Sequence, residues 1–198
     1  MPFVFKRLAL VLSITAAFAA DKETPFKAQP AASYPAHQTS QQITIGADPY
    51  TDSEKLKLAF GKLDPNEHGV LPVLIVIQND NPGTLRVSNM KVEYLGPERE
   101  RIEATPAREV KYLRPPQRPN MIPGPGSTVK VLKTKNNPLD AWEIEGRAFA
   151  AQMIPAGNTA SGFFYFQTTL RPRSTIYVSG INEASTGKEI LYFEIPLP

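Results

Sequence analysis

Val70-Leu-Pro-Val-Leu-Ile-Val-Ile77 is the stretch that most restricts what this chain can fold into. It is apolar, β-branched and uninterrupted by polar residues, and it ends in Gln78-Asn-Asp-Asn-Pro-Gly83, a dense turn signal. A short apolar run closed by such a turn is the pattern of a buried strand. The fold therefore needs a sheet with cover for this strand.

The flanking sequence supplies further strands. Arg86 to Leu95 alternates, with Val87, Met90, Val92 and Tyr94 apolar, and predicts a half-exposed strand. Arg101-Ile-Glu-Ala104 and Val110-Lys-Tyr-Leu113 are further strand candidates. Phe163 to Thr169, Thr175 to Ser179 and Glu189 to Ile195 predict three closing strands, with a turn over Asn182 to Gly187.

Two helices are expected. Thr51-Asp-Ser-Glu54 matches a capping box. Leu56, Phe60 and Leu63 follow at helical spacing, although Leu56, Leu58 and Phe60 also alternate as in a strand. The cap favours the helix. Leu139 to Met153 is rich in helix formers, with Trp142, Phe149 and Met153 able to share one face, and Pro155-Ala-Gly157 stops it. Between the two lies a stretch of different character. Residues 114–138 hold six prolines and two glycines, which excludes a sheet interior and predicts a Pro-rich loop.

Short strands with turns between them, without regular strand–helix alternation, predict a mainly β fold, an immunoglobulin-like antiparallel β-sandwich with one or two short helices. Cysteine is absent, so no disulfide contributes and the core must carry the stability.

The ends of the chain bear on location. Lys6 and Arg7 precede the apolar run Leu8 to Phe18, which is too short to span a bilayer, and Ala17-Phe-Ala19 offers small residues for cleavage. This predicts a signal peptide over 1–19, a flexible leader over 20–42 and a domain over 43–198. The protein is then exported to the periplasm or beyond, without a lipid anchor or a transmembrane segment in the mature chain. Taking Lys6 and Arg7 from the formal charge of +3 leaves +1, so whole-chain charge gives no argument for nucleic acid.

Gly157-Asn-Thr-Ala-Ser-Gly162 has the glycine spacing of a phosphate loop. Phe163 and Phe164 stand where Lys and Ser or Thr are needed, and the loop is expected to leave a helix and enter a strand, the reverse of a phosphate site. His37 and His68 are far apart in sequence, and Asp48, Asp52 and Glu54 lack the glycine and oxygen ligands of a calcium loop. No Gly-x-Ser-x-Gly occurs. Neither a metal, a cofactor nor a catalytic residue is expected.

Charge placement is the remaining feature. Between Val110 and Leu139 stand Lys111, Arg114, Arg118, Lys130, Lys133 and Lys135, with no acidic residue. Such a loop suits an envelope protein or an anionic cell-surface polymer. Tyr112 is its one aromatic residue, so base stacking has no support. The expected function is a non-catalytic envelope or extracellular domain. A hydrolytic enzyme with an unrecognised site and a purely structural envelope component are the alternatives.

The strand end Ile77-Gln-Asn-Asp, with Pro155-Ala-Gly157 and Ser161-Gly162-Phe-Phe-Tyr-Phe166, resembles secreted bacterial immunoglobulin-like domains, the group that includes the mycobacterial immunoprotective extracellular antigen. The resemblance covers residues 70–195 and implies a Pro-Gly turn before a Gly-Phe strand that faces the sandwich core. It implies no common chemistry, so no functional residue carries over. The helix expected over 139–153 and the Pro-rich insertion depart from it.

Overall fold

The computed structural model describes residues 26–113, 137–190 and 192–198. The strand predicted from Val70 is β3 (Leu71–Asn79), the centre of the fold. It pairs antiparallel with β2 (Ile43–Pro49) on one side and β8 (Thr159–Phe166) on the other, and β1 (Ala36–Ser40) extends the sheet beyond β2. A second antiparallel sheet has the order β11 (Phe193–Pro196), β9 (Thr175–Ser179), β5 (Lys91–Leu95), β6 (Arg101–Glu103). A small third sheet joins β10 (Asn182–Glu183), β4 (Leu85–Arg86) and β7 (Met153–Ile154).

The chain crosses from β3 to the β5–β6 pair, back to β8, and again to β9 and β11. That order, β2-β3-β8 facing β11-β9-β5-β6, is the A-B-E and G-F-C-C′ arrangement of an immunoglobulin-like sandwich. Ile43, Ile45, Val73, Ile75 and Ile77 meet Val92, Tyr94, Ile176, Val178, Phe193 and Ile195 in one core between the sheets. Tyr94 also secures the crossing from β8 to β9. Its hydroxyl donates to the Thr169 carbonyl (3.3 Å) and accepts from the Arg171 N–H (3.0 Å).

β3 is buried on both faces because a third layer covers the outer side of its sheet. Leu74, Val76, Phe163 and Tyr165 point away from the sandwich core. They pack against Leu56, Ala59 and Phe60 of α1 (Ser53–Phe60), Val110 of α2 (Ala107–Val110) and Ile144 of α3 (Trp142–Gly146). Both side-chain sets of the strand are thus withdrawn from water, which is why its sequence does not alternate. Each fully buried aliphatic side chain contributes about 1.5–3 kcal/mol. Pro72 fits within this strand because the ladder position opposite it is met otherwise: the Tyr50 N–H donates to the Pro72 carbonyl (2.9 Å) and the Tyr50 carbonyl accepts from Asn66 Nδ2 (2.9 Å).

Helix α1 forms where the cap favours it, but the capping residue is Asp52 rather than Thr51. Asp52 Oδ1 accepts from the N–H groups of Glu54 and Lys55, both at 3.0 Å. Asp52→Ala is expected to cost about 1 kcal/mol, since two N–H groups lose their acceptor. Thermal unfolding of the variant beside Thr51→Ala checks this: only the Asp52 change should lower the midpoint.

Several expectations are corrected. Residues 26–42 are not a flexible leader: Ala31, Tyr34 and Ala36 are buried, and β1 pairs with β2 along its whole length. The strand expected over Arg86–Leu95 is broken into β4 and β5 by a turn closed from Met90 N–H to the Val87 carbonyl (3.1 Å). Val87, Val92 and Tyr94 all reach the same core, but the turn shifts the phase: the inward residues are odd-numbered before it and even-numbered after it. Val110–Leu113 is helical turn, not strand. Pro106 opens it, and Glu109, Tyr112 and Leu113 donate to carbonyls three residues back.

The helix expected over Leu139–Met153 is limited to Trp142–Gly146. The free edge of β8 explains this. Phe163 N–H donates to the Arg147 carbonyl (2.9 Å), and Phe149 N–H donates to the Phe163 carbonyl (3.2 Å), so the chain leaves the helix to pair with the sheet. Trp142 and Met153 are exposed and share no buried face with Phe149. The Gly157–Gly162 stretch therefore leaves a strand, β7, rather than a helix. It does enter a buried strand, β8, which begins at Thr159 and ends at Phe166. The last strand is shorter than Glu189–Ile195 and starts at Phe193.

Candidate functional site

Lys111 follows α2 at the edge of the helical layer, and its surroundings define the place where the basic stretch meets the fold. Asn137 Nδ2 donates to the Lys111 carbonyl at 2.5 Å, and Asn137 Oδ1 accepts from the Leu139 N–H at 3.1 Å. One asparagine therefore fastens residue 111 to residues 137–139, which brackets the basic stretch between two neighbouring points. Lys111 itself is not a free cation. Its Nζ lies 3.4 Å from Asp140 Oδ1, and the hydrogen bond and charge of that carboxylate raise the ammonium pKa. The sequence count stopped one residue short of this partner. Arg114, Arg118, Lys130, Lys133 and Lys135 lie outside the described residues.

The helical layer here presents large apolar groups to water. Tyr112 is 73% exposed, Trp142 68% and Leu58 of α1 66%. Exposed Tyr and Trp match the composition of protein-binding surfaces. Trp142 lies flat along its own helix because residue 146 is glycine: a Cβ there would stand 2.9 Å from the ring.

Arg147 is the residue after α3. Its guanidinium carbon sits 5.1 Å from the centre of the Phe26 ring and 5.9 Å from that of Trp142. Phe26 in turn meets Phe163 (5.4 Å) and Tyr50 (6.2 Å), and Tyr50 meets Phe163 edge-on at 4.8 Å. Arg147 Nε is buried without a hydrogen-bond partner among the described residues. Burial pushes the Tyr50 and Tyr165 hydroxyls far above the ordinary phenol range, so both stay neutral. The Tyr165 hydroxyl donates to the Ile144 carbonyl at 2.7 Å. Sequence reasoning missed this group. Phe26 stood in the expected leader and Arg147 inside the expected helix, and only the fold brings them together.

The residues weighed for metal are occupied separately. Asp48 pairs with Lys55 at 3.0 Å, Asp52 caps α1, and His37 Nδ1 is 2.7 Å from the Tyr34 carbonyl. No group of three metal-ligating side chains exists among the described residues. A cleft of about 300 Å³ opens between β5–β6 and β8, with Glu93, Glu103, Thr105, Phe149 and Phe164 in its lining. Glu93 is 3.2 Å from Arg101, and neither histidine reaches the cleft. No helix among the described residues is long and apolar enough to cross a membrane.

No family model and no curated protein matches the chain. Among solved structures, the secreted protein MPT63 from Mycobacterium tuberculosis is similar over 84% of this chain and 95% of its own, at 13% identity and a TM-score of 0.33. The fold assignment rests on the strand order itself.

Proposed function

We propose that the chain is an exported, non-catalytic immunoglobulin-like domain that binds an anionic or protein partner of the cell envelope through its basic segment, residues 111–135. One observation carries the reading: Asn137 donates to the Lys111 carbonyl beside exposed Tyr112, so the two described points that bracket the basic stretch lie together at the surface. Export is supported by the charged, apolar and small-residue order of residues 1–19. Arg114, Arg118, Lys130, Lys133 and Lys135 carry the long-range attraction, and Lys111 contributes less because Asp140 already sits on it.

The test is capture of partners from envelope extract by residues 20–198, washed at low and then high salt. Arg114→Glu, Lys130→Glu and Lys133→Glu together are expected to abolish capture at low salt. Unchanged capture by the triple variant overturns the proposal. Retention of the partner by the native domain through high salt overturns the charge-based part of it.

A further inference from the structure

We infer that Arg147, with Phe26 and Trp142, forms a binding site for a carboxylate carried on an apolar body. The site is separate from the basic segment and stands whatever that segment binds. A guanidinium has two faces and an edge. In Arg147 the aromatic rings approach the group at 5.1 Å and 5.9 Å. Rings can satisfy the faces of a guanidinium but not its in-plane N–H groups, which need oxygen acceptors.

No described residue supplies such an acceptor. No carboxylate of the described residues lies within salt-bridge distance of Arg147, whereas Arg101 and Arg171 each hold one, Glu93 and Glu100. Arg147 Nε is enclosed without an acceptor among the described residues, while the residue as a whole is only partly buried. The terminal nitrogens are therefore the part of the group a ligand meets. A planar carboxylate matches that fork with two parallel hydrogen bonds, and the neighbouring rings exclude water and strengthen the attraction.

The apolar body of the ligand has a place as well. Trp142 is 68% exposed although it lies against Gly146 and Arg147, so one broad aromatic surface stands open beside the cation. The acidic side chains of the same helix do not fill the position: Glu143 and Glu145 make no ion pair with Arg147.

Trp142 is the single tryptophan of the chain, so its fluorescence reports on this site alone. The folded protein is titrated with hexanoate, with hexanol as the neutral analogue and with inorganic phosphate. Hexanoate is expected to give a saturable change with a Kd of about 1 mM, consistent with a ligand of this size. Hexanol should bind at least about tenfold more weakly, because it lacks the charge that one such factor represents. Arg147→Lys should weaken hexanoate by about tenfold, since an ammonium keeps the charge but loses the fork. Arg147→Met should abolish binding. The Lys variant keeps the test valid should the Met variant fail to fold. Arg114→Glu, Lys130→Glu and Lys133→Glu together should leave hexanoate binding in place, which separates this site from partner capture. Absence of saturation, equal binding of hexanol, tighter binding of phosphate than of hexanoate, or unchanged titration of Arg147→Lys overturns the assignment.

Discussion

Gly162→Ala is expected to destabilise the fold by about 3 kcal/mol or more, a large share of the roughly 5–15 kcal/mol that holds a domain together. Gly162 lies inside β8 and pairs with Ile75 of β3. The segment Ala148–Phe149 runs against the other edge of the strand. A Cβ on residue 162 would stand 2.3 Å from Phe149 Cα, 2.5 Å from its nitrogen and 2.8 Å from the Ala148 carbonyl carbon. All three are backbone atoms, and the hydrogen bonds between Phe163 and residues 147 and 149 hold them in place. A methyl group must therefore break the pairing of 147–149 or shift β8 against the central strand. Denaturant unfolding checks this, with a lower midpoint expected at an unchanged slope. Gly157→Ala is the control. Its φ of +73° disfavours a side chain, but nothing lies within 4 Å, so the cost there is about 1 kcal/mol. Equal stability of Gly162→Ala and the native chain would show that Ala148–Phe149 does not lie against β8.

Asn79→Ala is expected to cost about 2–4 kcal/mol by loss of a buried amide that serves three backbone groups. Asn79 is fully buried at the end of β3. Its Nδ2 donates to the carbonyls of Gly83 and Ile154, each at 2.9 Å, and its Oδ1 accepts from the Asn81 N–H at 3.1 Å. Its own backbone completes the junction, accepting from Gly157 N–H (2.7 Å) and donating to the Asn158 carbonyl (2.9 Å). One residue thus joins the central sheet, the 80–83 turn, β7 and the turn into β8. Asn79→Asp tests the donor role. The carboxylate can accept from Asn81 but would face two carbonyls, so burial and those carbonyls raise its pKa in the folded state. A group with a raised folded pKa loses stability as pH increases. Asn79→Asp should therefore be most stable in acid and weaken as pH rises above about 4, where the unfolded carboxyl ionises. A flat pH profile relative to the native chain would contradict the donor assignment.

Local patterns reached the sequence where a single surface decides the outcome. The run from Val70 reads as a buried strand because both of its faces lose water together, and that pattern needs no knowledge of which layers provide the cover. Helix α1 was legible through its cap, because Asp52 and Thr51 lie in the same turn of backbone and either marks the same start. The Gly157–Gly162 stretch was legible as a turn into a strand, since aromatic residues follow where a phosphate loop needs Lys and Ser. The basic stretch was legible as charge, but the partner of Lys111 was not, because Asp140 reaches it only through the contact of α2 with α3.

What the sequence by itself determined is a mainly β chain with a central buried strand, a helix after Asp52 and a concentration of cations between Lys111 and Lys135. Tertiary structure decided the rest. The segment 139–153 has the composition of a helix, but the edge of β8 takes its N–H and carbonyl groups from Arg147 onward. Residues 26–40 are polar enough to read as a leader, but the outer side of β2 offers a ladder and a slot for Ala31 and Tyr34. The Arg147 site follows from both events, since one brings Phe26 to the sheet and the other turns Arg147 back beside Trp142. Backbone hydrogen bonds to a sheet edge are made by every residue type, so no side-chain pattern announces them, and only the assembled fold shows where an edge stands open.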